Sequence, residues 1–209
     1  MASIDDELLR HQYFYIPWVE TPAPAPEPFQ IAAPLAAYLA QRHKARLTVV
    51  TIQKSTAPEA LRKSTIVTQR SGTVMDGGVV LAFCPSYQLM DKITSLKKSV
   101  VVLAEWPTES HEGWAKLVGA YNLVTGSVMG GPLDEATSKS LKAIVFDGYN
   151  GWNDDIAVRV TLAHLRELHA AGGYDRGVVE AFARSERGEH GIARLYGILD
   201  SFNTSLESR

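Results

Sequence analysis

The sequence predicts an α/β fold: a three-layer, Rossmann-like, mostly parallel sheet of about four strands, followed by a helical C-terminal half. Three observations support this prediction. Four short apolar runs rich in β-branched residues lie between residues 46 and 106, helical patterns separate several of them, and no run of this kind follows Trp106. With 209 residues, of which 45% are hydrophobic and 21% charged, the chain is long enough to bury its own core.

Residues 1–28 are predicted to form an extended aromatic and proline-rich arm. Ser3 is a candidate N-cap for a short first helix, and the segment IPWVETPAPAPEP favours an extended path. Four large aromatic residues lie within six positions, and such a density is costly to leave in water. We therefore expect the arm either to pack across its own domain or to contact a protein partner or a second copy of the chain. The aromatic residues are Tyr13, Phe14, Tyr15 and Trp18.

Residues 29–147 are predicted to form the α/β core domain. The segment PLAAYLAQRHKA predicts a helix with Pro34 in its first turn, and TAPEALRK offers a capping box from Thr56 to Glu59. SYQLMDKITSLKK has apolar residues at helical spacing and links the last two apolar runs as a β-helix-β unit. Apolar strands joined by helices indicate a parallel sheet that is covered on both faces. The predicted strands are residues 46–52, 64–69, 78–84 and 99–106.

After Trp106 the sequence predicts about five helices. The segment HEGWAKLVGAYNLVTG is amphipathic, LDEATSKSLKAIVF begins with an aspartate cap, and a long helix follows DGYNGWND. The glycine-rich GSVMGG follows a helix rather than opening one, so we interpret it as a loop. Residues 148–209 are predicted to form a helical C-terminal subdomain.

The net charge of −2 hides an asymmetry along the chain. Residues 41–100 carry 10 basic and 3 acidic side chains, a balance of +7, whereas residues 1–40 and 101–209 have balances of −4 and −5. Clustered lysine and arginine create a positive potential that attracts anions. This basic central segment therefore predicts a nucleic-acid or nucleotide partner, unless the charged blocks neutralise one another in the folded chain.

The candidate ligand site lies where the predicted strands end. In open parallel sheets, ligands bind beyond the carboxyl ends of the strands. If all four strands are parallel, this edge offers two cations, several hydroxyls, a helix N-terminus and one carboxylate, a set that suits an anionic ligand. Only about eight residues separate strands 64–69 and 78–84, so an antiparallel hairpin, which would put Arg70 and Cys84 at opposite ends, is the alternative. The candidate ligand-binding residues are Lys54, Arg70, Ser71, Ser86 and Glu105.

Cys84, the single cysteine, ends an apolar run just before a helix. A thiol at such a corner is a candidate nucleophile, but no histidine adjoins it and no phosphatase loop follows, so we interpret it as a packed strand-end residue. The motifs GxxxxGK[ST], GxGxxG, GxSxG and HExxH do not occur, and the histidines form no metal-binding spacing. The sequence therefore names no cofactor and predicts no metal site.

Three functions follow from these observations. The first is a non-catalytic binding module for a nucleotide or a nucleic-acid backbone, which uses the basic central segment. The second is an enzyme that acts on a small anionic substrate at the strand ends, with Glu105 as acid or base and Ser71 or Cys84 nearby. The third is an assembly protein that uses its N-terminal arm. The acidic start and short apolar runs of the chain predict a cytoplasmic location and no membrane contact.

Overall fold

The computed structural model describes residues 7–18, 28–187 and 191–208. The chain divides into two compact units, Met1–Gly130 and Gly131–Arg209. The first unit contains the sheet and the second is helical. The domain boundaries that the sequence suggested, at residues 28–29 and 147–148, stay predictions. In the described part of the chain, no helix is both long enough and apolar enough to span a membrane.

The sheet confirms the predicted mostly parallel α/β architecture, and it has more strands than expected. In the described residues it contains seven strands in the order β3-β2-β4-β5-β1-β6-β7, and every neighbouring pair is parallel except β6 and β7. The four predicted strands correspond to β2 to β5. The strands are β1 (Tyr13–Ile16), β2 (Leu47–Val50), β3 (Thr65–Val67), β4 (Val79–Phe83), β5 (Val100–Ala104), β6 (Tyr121–Asn122) and β7 (Ser127–Val128).

The strand order excludes the hairpin alternative. Strands β3 and β4 both run parallel to β2, which lies between them, with Thr48 paired to Thr65 and Leu47 to Val79. The chain therefore returns from β3 over β2 without a helix, a short route that the usual length of parallel crossovers did not predict. As a result, Arg70 and Cys84 follow the carboxyl ends of parallel strands and lie at the same edge of the sheet.

Strand β1 was not expected, because its sequence YFYI lies in the segment interpreted as an arm. It occupies an interior position between β5 and β6, and Tyr13 pairs with Val101. Phe14 and Tyr15 are buried. The described part of residues 1–28 thus packs its aromatic side chains within its own unit, and the partner contact through this segment stays a prediction. Ser3 and the proline-rich residues 19–27 lie outside the described residues.

Helices cover both faces of the sheet. Helix α1 (Pro28–Arg42) packs on the face that carries Phe14, Val49, Leu81 and Val102. Helices α2 (Tyr87–Thr94) and α3 (Glu112–Val118) lie on the opposite side, where Tyr13 contacts Trp114 edge to face. Since side chains alternate between the two faces of a strand, both faces of β4 and β5 are buried, as their continuous apolar sequences predicted.

Three local predictions in the first unit were wrong. Pro34 lies inside α1, which begins six residues earlier, at Pro28. The capping box from Thr56 to Glu59 is not formed, because Thr56 ends one 3₁₀ helix, Lys54–Thr56, and Glu59 begins another, Glu59–Leu61. The expected helix over residues 111–126 stops at Val118, where Gly119 takes a left-handed φ of 64°, and the chain continues as β6 and β7.

The second unit contains the predicted C-terminal helices. Asp134 is the expected cap of the first of them and Asp154 caps the second, since their carboxylates accept the N–H groups of Thr137 at 2.8 Å and Ala157 at 2.7 Å. Trp152, in the turn between two of the helices, is buried and donates from Nε1 to Thr161. The helices are α4 (Glu135–Asp147), a 3₁₀ turn (Gly148–Asn150), α5 (Asp155–Ala170), α6 (Arg176–Arg187) and α7 (Ile192–Glu207).

Candidate functional site

The five candidate residues predicted from the sequence lie along four neighbouring strands. Arg70 and Ser71 follow β3, Lys54 follows β2, Ser86 follows β4 and Glu105 follows β5, and these strands are consecutive in the sheet. Three neighbour spacings of about 4.8 Å spread the set over roughly 14 Å. No two of the five form a hydrogen bond or ion pair with each other in the described residues. The structure therefore brings them to one edge, here called the carboxyl edge, without assembling them into a cluster.

Glu105 is fully engaged within the protein. Its side chain is buried, and its oxygens accept the backbone N–H groups of His111 at 2.5 Å and Trp18 at 3.2 Å. Burial and the neighbouring Glu105 carboxylate, which also accepts the phenol hydrogen bond, raise the pKa of Tyr15 above its ordinary value. These contacts join β1, β5 and the start of α3. Glu105 thus acts as a structural link, and this geometry does not favour its assignment as a catalytic acid or base.

The start of helix α2, at the corner after β4, already receives a carboxylate from within the protein. Ser86 is the N-cap of α2, but the helix N-terminus receives Glu109, whose Oε2 accepts the N–H of Tyr87 at 2.6 Å. The ring nitrogen Nε2 of His111 lies 2.8 Å from the carbonyl oxygen of Pro85. A carboxylate of the chain therefore already occupies the position that the sequence offered to an anionic ligand.

Two residues at this corner have unusual local features: Cys84 in its backbone conformation and Ser86 in its hydrogen bonding. Cys84 has a φ of 50°, a left-handed conformation that is uncommon for a residue other than glycine. Burial raises the pKa of its thiol to about 12, so the thiol stays protonated at neutral pH. The Ser86 hydroxyl is buried and forms no hydrogen bond within the described residues. The raised pKa is consistent with the packed strand-end interpretation of Cys84 and not with a reactive nucleophile.

The turn after β3 is held by a lysine rather than left open for a ligand. Lys92 of α2 donates from Nζ to the carbonyl oxygens of Thr68 at 2.8 Å and Gly72 at 3.0 Å. The Ser71 hydroxyl lies 2.9 Å from that of Thr68. Arg70 and Ser71 are exposed, as is Lys54 on its 3₁₀ helix, so Lys54 and Arg70 are the two cations of the predicted set, and both are accessible to solvent.

The opposite edge of the sheet carries most of the remaining positive charge of the central segment. Five exposed cations lie within three residues of the first residue of a strand, and the parallel order brings these strand starts to one edge. In the described part of the chain, none of them forms an ion pair with an aspartate or glutamate. We call this set the basic edge. It consists of Lys44 and Arg46 before β2, Lys63 before β3, and Lys97 and Lys98 before β5.

Asp76 positions part of the basic edge. Its carboxylate accepts the backbone N–H groups of Gly77, Lys97 and Lys98 and the hydroxyl of Ser99, all between 2.8 and 3.2 Å. Burial alone would raise the pKa of Asp76, but these donors together lower it to about 2. The turn that carries Lys97 and Lys98 is thereby fixed beside the start of β4.

A pocket of about 350 Å³ opens beside Arg46 at this edge. It is lined by Arg46, by the threonines Thr48, Thr65 and Thr73, and by residues 75–78. Gly78 is required for the close approach of strands here, because a Cβ at this position would lie 2.8 Å from the carbonyl oxygen of Arg46. The sequence did not predict a site in this region, because ligands in open parallel sheets usually bind beyond the residues that follow the strands and not those that precede them.

Known proteins add no assignment to this geometry. No protein-family model matches the chain, and neither a curated protein nor a solved structure matches it significantly. Among the described residues, no group of three or more histidine, cysteine, aspartate or glutamate side chains is arranged to hold a metal ion. The fold and the site define a mostly parallel α/β protein with a row of cations at the amino ends of its strands, none of which forms an ion pair within the described residues.

Proposed function

We propose that the protein is a non-catalytic binding module for phosphate groups of a nucleic-acid backbone, and that the basic edge is its contact surface. The observation that carries this proposal is the absence of ion pairs among the described residues for five exposed cations that the strand order gathers at one edge. The sequence left open whether acidic segments neutralise these cations, and no acidic side chain in the described part of the chain forms an ion pair with them.

The spacing of the cations suits a linear polyanion. Lys63 precedes β3, Arg46 precedes the neighbouring β2, and Lys98 precedes β5, two strands beyond β2. The row therefore extends over roughly 14 Å of sheet, at about 4.8 Å for each strand. A nucleic-acid strand presents one phosphate about every 3.4 Å along a duplex axis, so several phosphates lie within reach of one row.

The hydrogen bonds within the protein at the carboxyl edge also favour the basic edge as the contact surface. Glu105 and Glu109 accept backbone N–H groups there, so these donors are not available to a phosphate group. Lys54 and Arg70 are the exposed cations of that edge and stay candidate contacts. Because both edges carry exposed cations that could contact phosphate groups, the experiment compares the two edges directly.

The test compares two double variants that remove the same charge. Lys63→Gln with Lys98→Gln changes the basic edge, and Lys54→Gln with Arg70→Gln is the matched control at the carboxyl edge. Affinity is measured by fluorescence anisotropy with an internally labelled single-stranded oligonucleotide that has hydroxyl groups at both ends, at several salt concentrations. Each lost phosphate contact reduces the slope of log affinity against log salt by about 0.7, so we expect the slope of the first variant to fall by roughly 1.4.

The outcomes separate the possible surfaces. Loss of affinity in the basic-edge variant alone supports the proposal. A loss in the control alone assigns the phosphates to the carboxyl edge, and an equal loss in both variants shows that the basic edge is not the particular contact surface; either result contradicts the proposal. Competition by a nucleoside triphosphate at the concentration of the oligonucleotide would indicate that a free nucleotide is the ligand, and affinity that does not change with salt would exclude backbone binding.

A further inference from the structure

The pocket beside Arg46 differs chemically from the rest of the basic edge. Thr48 and Thr65 are paired across β2 and β3, so their side chains lie next to each other on one face of the sheet. Arg46 is two residues before Thr48 and shares that face, and Thr73 comes from the connection after β3. None of the three threonine hydroxyls forms a hydrogen bond with a described residue.

The single acidic residue of the pocket has no capacity left for a ligand. An ionised carboxylate has about four lone-pair sites. Four donors of the protein already use those of Asp76: three backbone N–H groups and the Ser99 hydroxyl. Asp76 therefore fixes the wall of the pocket, while the Arg46 guanidinium and the three threonine hydroxyls are the charged and hydroxyl donors among the residues that line it.

We propose that this pocket binds the terminal phosphate monoester of a nucleic-acid strand whose backbone lies along the basic edge. A monoester carries a charge of about −1.5 to −2 at pH 7 and presents three acceptor oxygens, whereas an internal phosphodiester carries one charge and has two free oxygens. A concave site with one guanidinium and three hydroxyls matches the former, and a row of separated lysines matches the latter.

The volume agrees with this ligand. A volume of about 350 Å³ lies at the small end of the range of ligand sites in proteins, and this size suits a single nucleotide unit rather than a long segment. Arg46 is held against the Met75 sulfur at 4.0 Å, which orients the guanidinium at the pocket wall. This inference rests on the proposed function only for the path of the strand, because the pocket itself requires no more than the phosphate end.

The first experiment measures end preference by anisotropy. Three oligonucleotides of one sequence carry a 5′-phosphate, a 3′-phosphate or hydroxyls at both ends. We expect at least one phosphorylated strand to bind about tenfold more tightly than the hydroxyl strand, since hydrogen bonds to a charged group are among the strongest in proteins. The preference should weaken as the pH is lowered from 8 to 5, because the second phosphate pKa is about 6.

The variants separate the pocket from the backbone surface. Thr65→Val with Thr73→Val removes two hydroxyls at nearly constant shape and should abolish the preference while leaving affinity for the hydroxyl strand unchanged. The control, Thr108→Val with Thr125→Val, alters exposed threonines elsewhere in the first unit and should retain it. Thermal unfolding checks that both pairs fold. Equal affinity of the native protein for all three strands, or a preference that survives the loss of Thr65 and Thr73 hydroxyls, overturns the inference.

A second measurement tests the pocket even if no oligonucleotide binds. A ¹⁵N NMR titration compares a nucleoside 5′-monophosphate with the nucleoside that lacks the phosphate. Phosphate-dependent shifts of the amides of Thr65, Thr73 and Gly78 support the pocket independently of the backbone proposal. Absence of such shifts overturns it, whereas failure of the proposed function alone is recognised by intact shifts without salt-dependent oligonucleotide affinity.

Discussion

The two edges of one parallel sheet use their charged residues in opposite ways. At the carboxyl edge, Glu105 and Glu109 accept backbone N–H groups and Lys92 donates to backbone carbonyls. At the basic edge, Arg46, Lys63 and Lys98 are exposed, and in the described part of the chain they pair with no acid. Glu105, Glu109 and Lys92 thus maintain the fold at one edge, whereas the cations of the other edge make no ion pair within the described residues.

Among the substitutions at the two edges, Glu105→Gln should cause the largest loss of stability. The variant places an amide NH₂ or a weaker acceptor against the N–H groups of His111 and Trp18 in a buried position, so we expect unfolding free energy to fall by about 3 kcal/mol. Urea denaturation measures the change, and Glu59→Gln, an exposed glutamate, is the control. Unchanged stability together with lost ligand affinity would return Glu105 to the role of a ligand-binding residue.

Lys92→Met should have the next largest effect on stability. It removes the ammonium that bonds the carbonyl oxygens of Thr68 and Gly72 while keeping the aliphatic stem, and we expect a loss of about 1 to 2 kcal/mol. Lys97→Met is the matched control at the basic edge, where no ion pair within the described residues is removed. If both substitutions lower the unfolding free energy by the same amount, the two edges do not differ in how far their lysines stabilise the fold.

The Asp76 carboxylate holds the turn that carries Lys97 and Lys98, so the basic edge also contains a charge that stabilises the fold. Its folded pKa of about 2 lies below the ordinary value of 3.8, so its ionised form stabilises the folded state above about pH 4. This contribution is lost as the pH falls from 4 through 2. Thermal midpoints between pH 5 and 2 should therefore decline more steeply for the native protein than for Asp76→Asn, and parallel curves would contradict the role assigned to this carboxylate.

The smallest effect on stability is expected for Lys63→Gln with Lys98→Gln. These exposed side chains form no ion pair in the described part of the chain, so the unfolding free energy should change by less than about 0.5 kcal/mol. Removing like charges from one edge also reduces their mutual repulsion, so any change at low salt should be towards greater stability. A loss of more than 1 kcal/mol in urea denaturation would show that the basic edge is structural after all.

The sequence predicted only some features of the two edges. The excess of cations in residues 41–100 was evident, and Lys54, Arg70 and Glu105 were correctly expected at the carboxyl ends of strands. Their engagement was not accessible, because the partners of Glu105 lie at Trp18 and His111, and nothing in the local pattern links these positions. The basic edge was missed although its signal, a cation just before each of three strands, is present in the sequence.

The sequence by itself determined the features that depend on short-range chemistry. The runs of β2 to β5, the helical spacing of α2 and the aspartate caps of α4 and α5 are all set within a few residues, because side-chain alternation and capping act locally. Only the tertiary structure decided the strand order, the interior position of β1 and the edge at which each charge lies. These depend on which strands pair over long separations, and the pairing is chosen by the burial of the whole sheet rather than by the preference of any one segment.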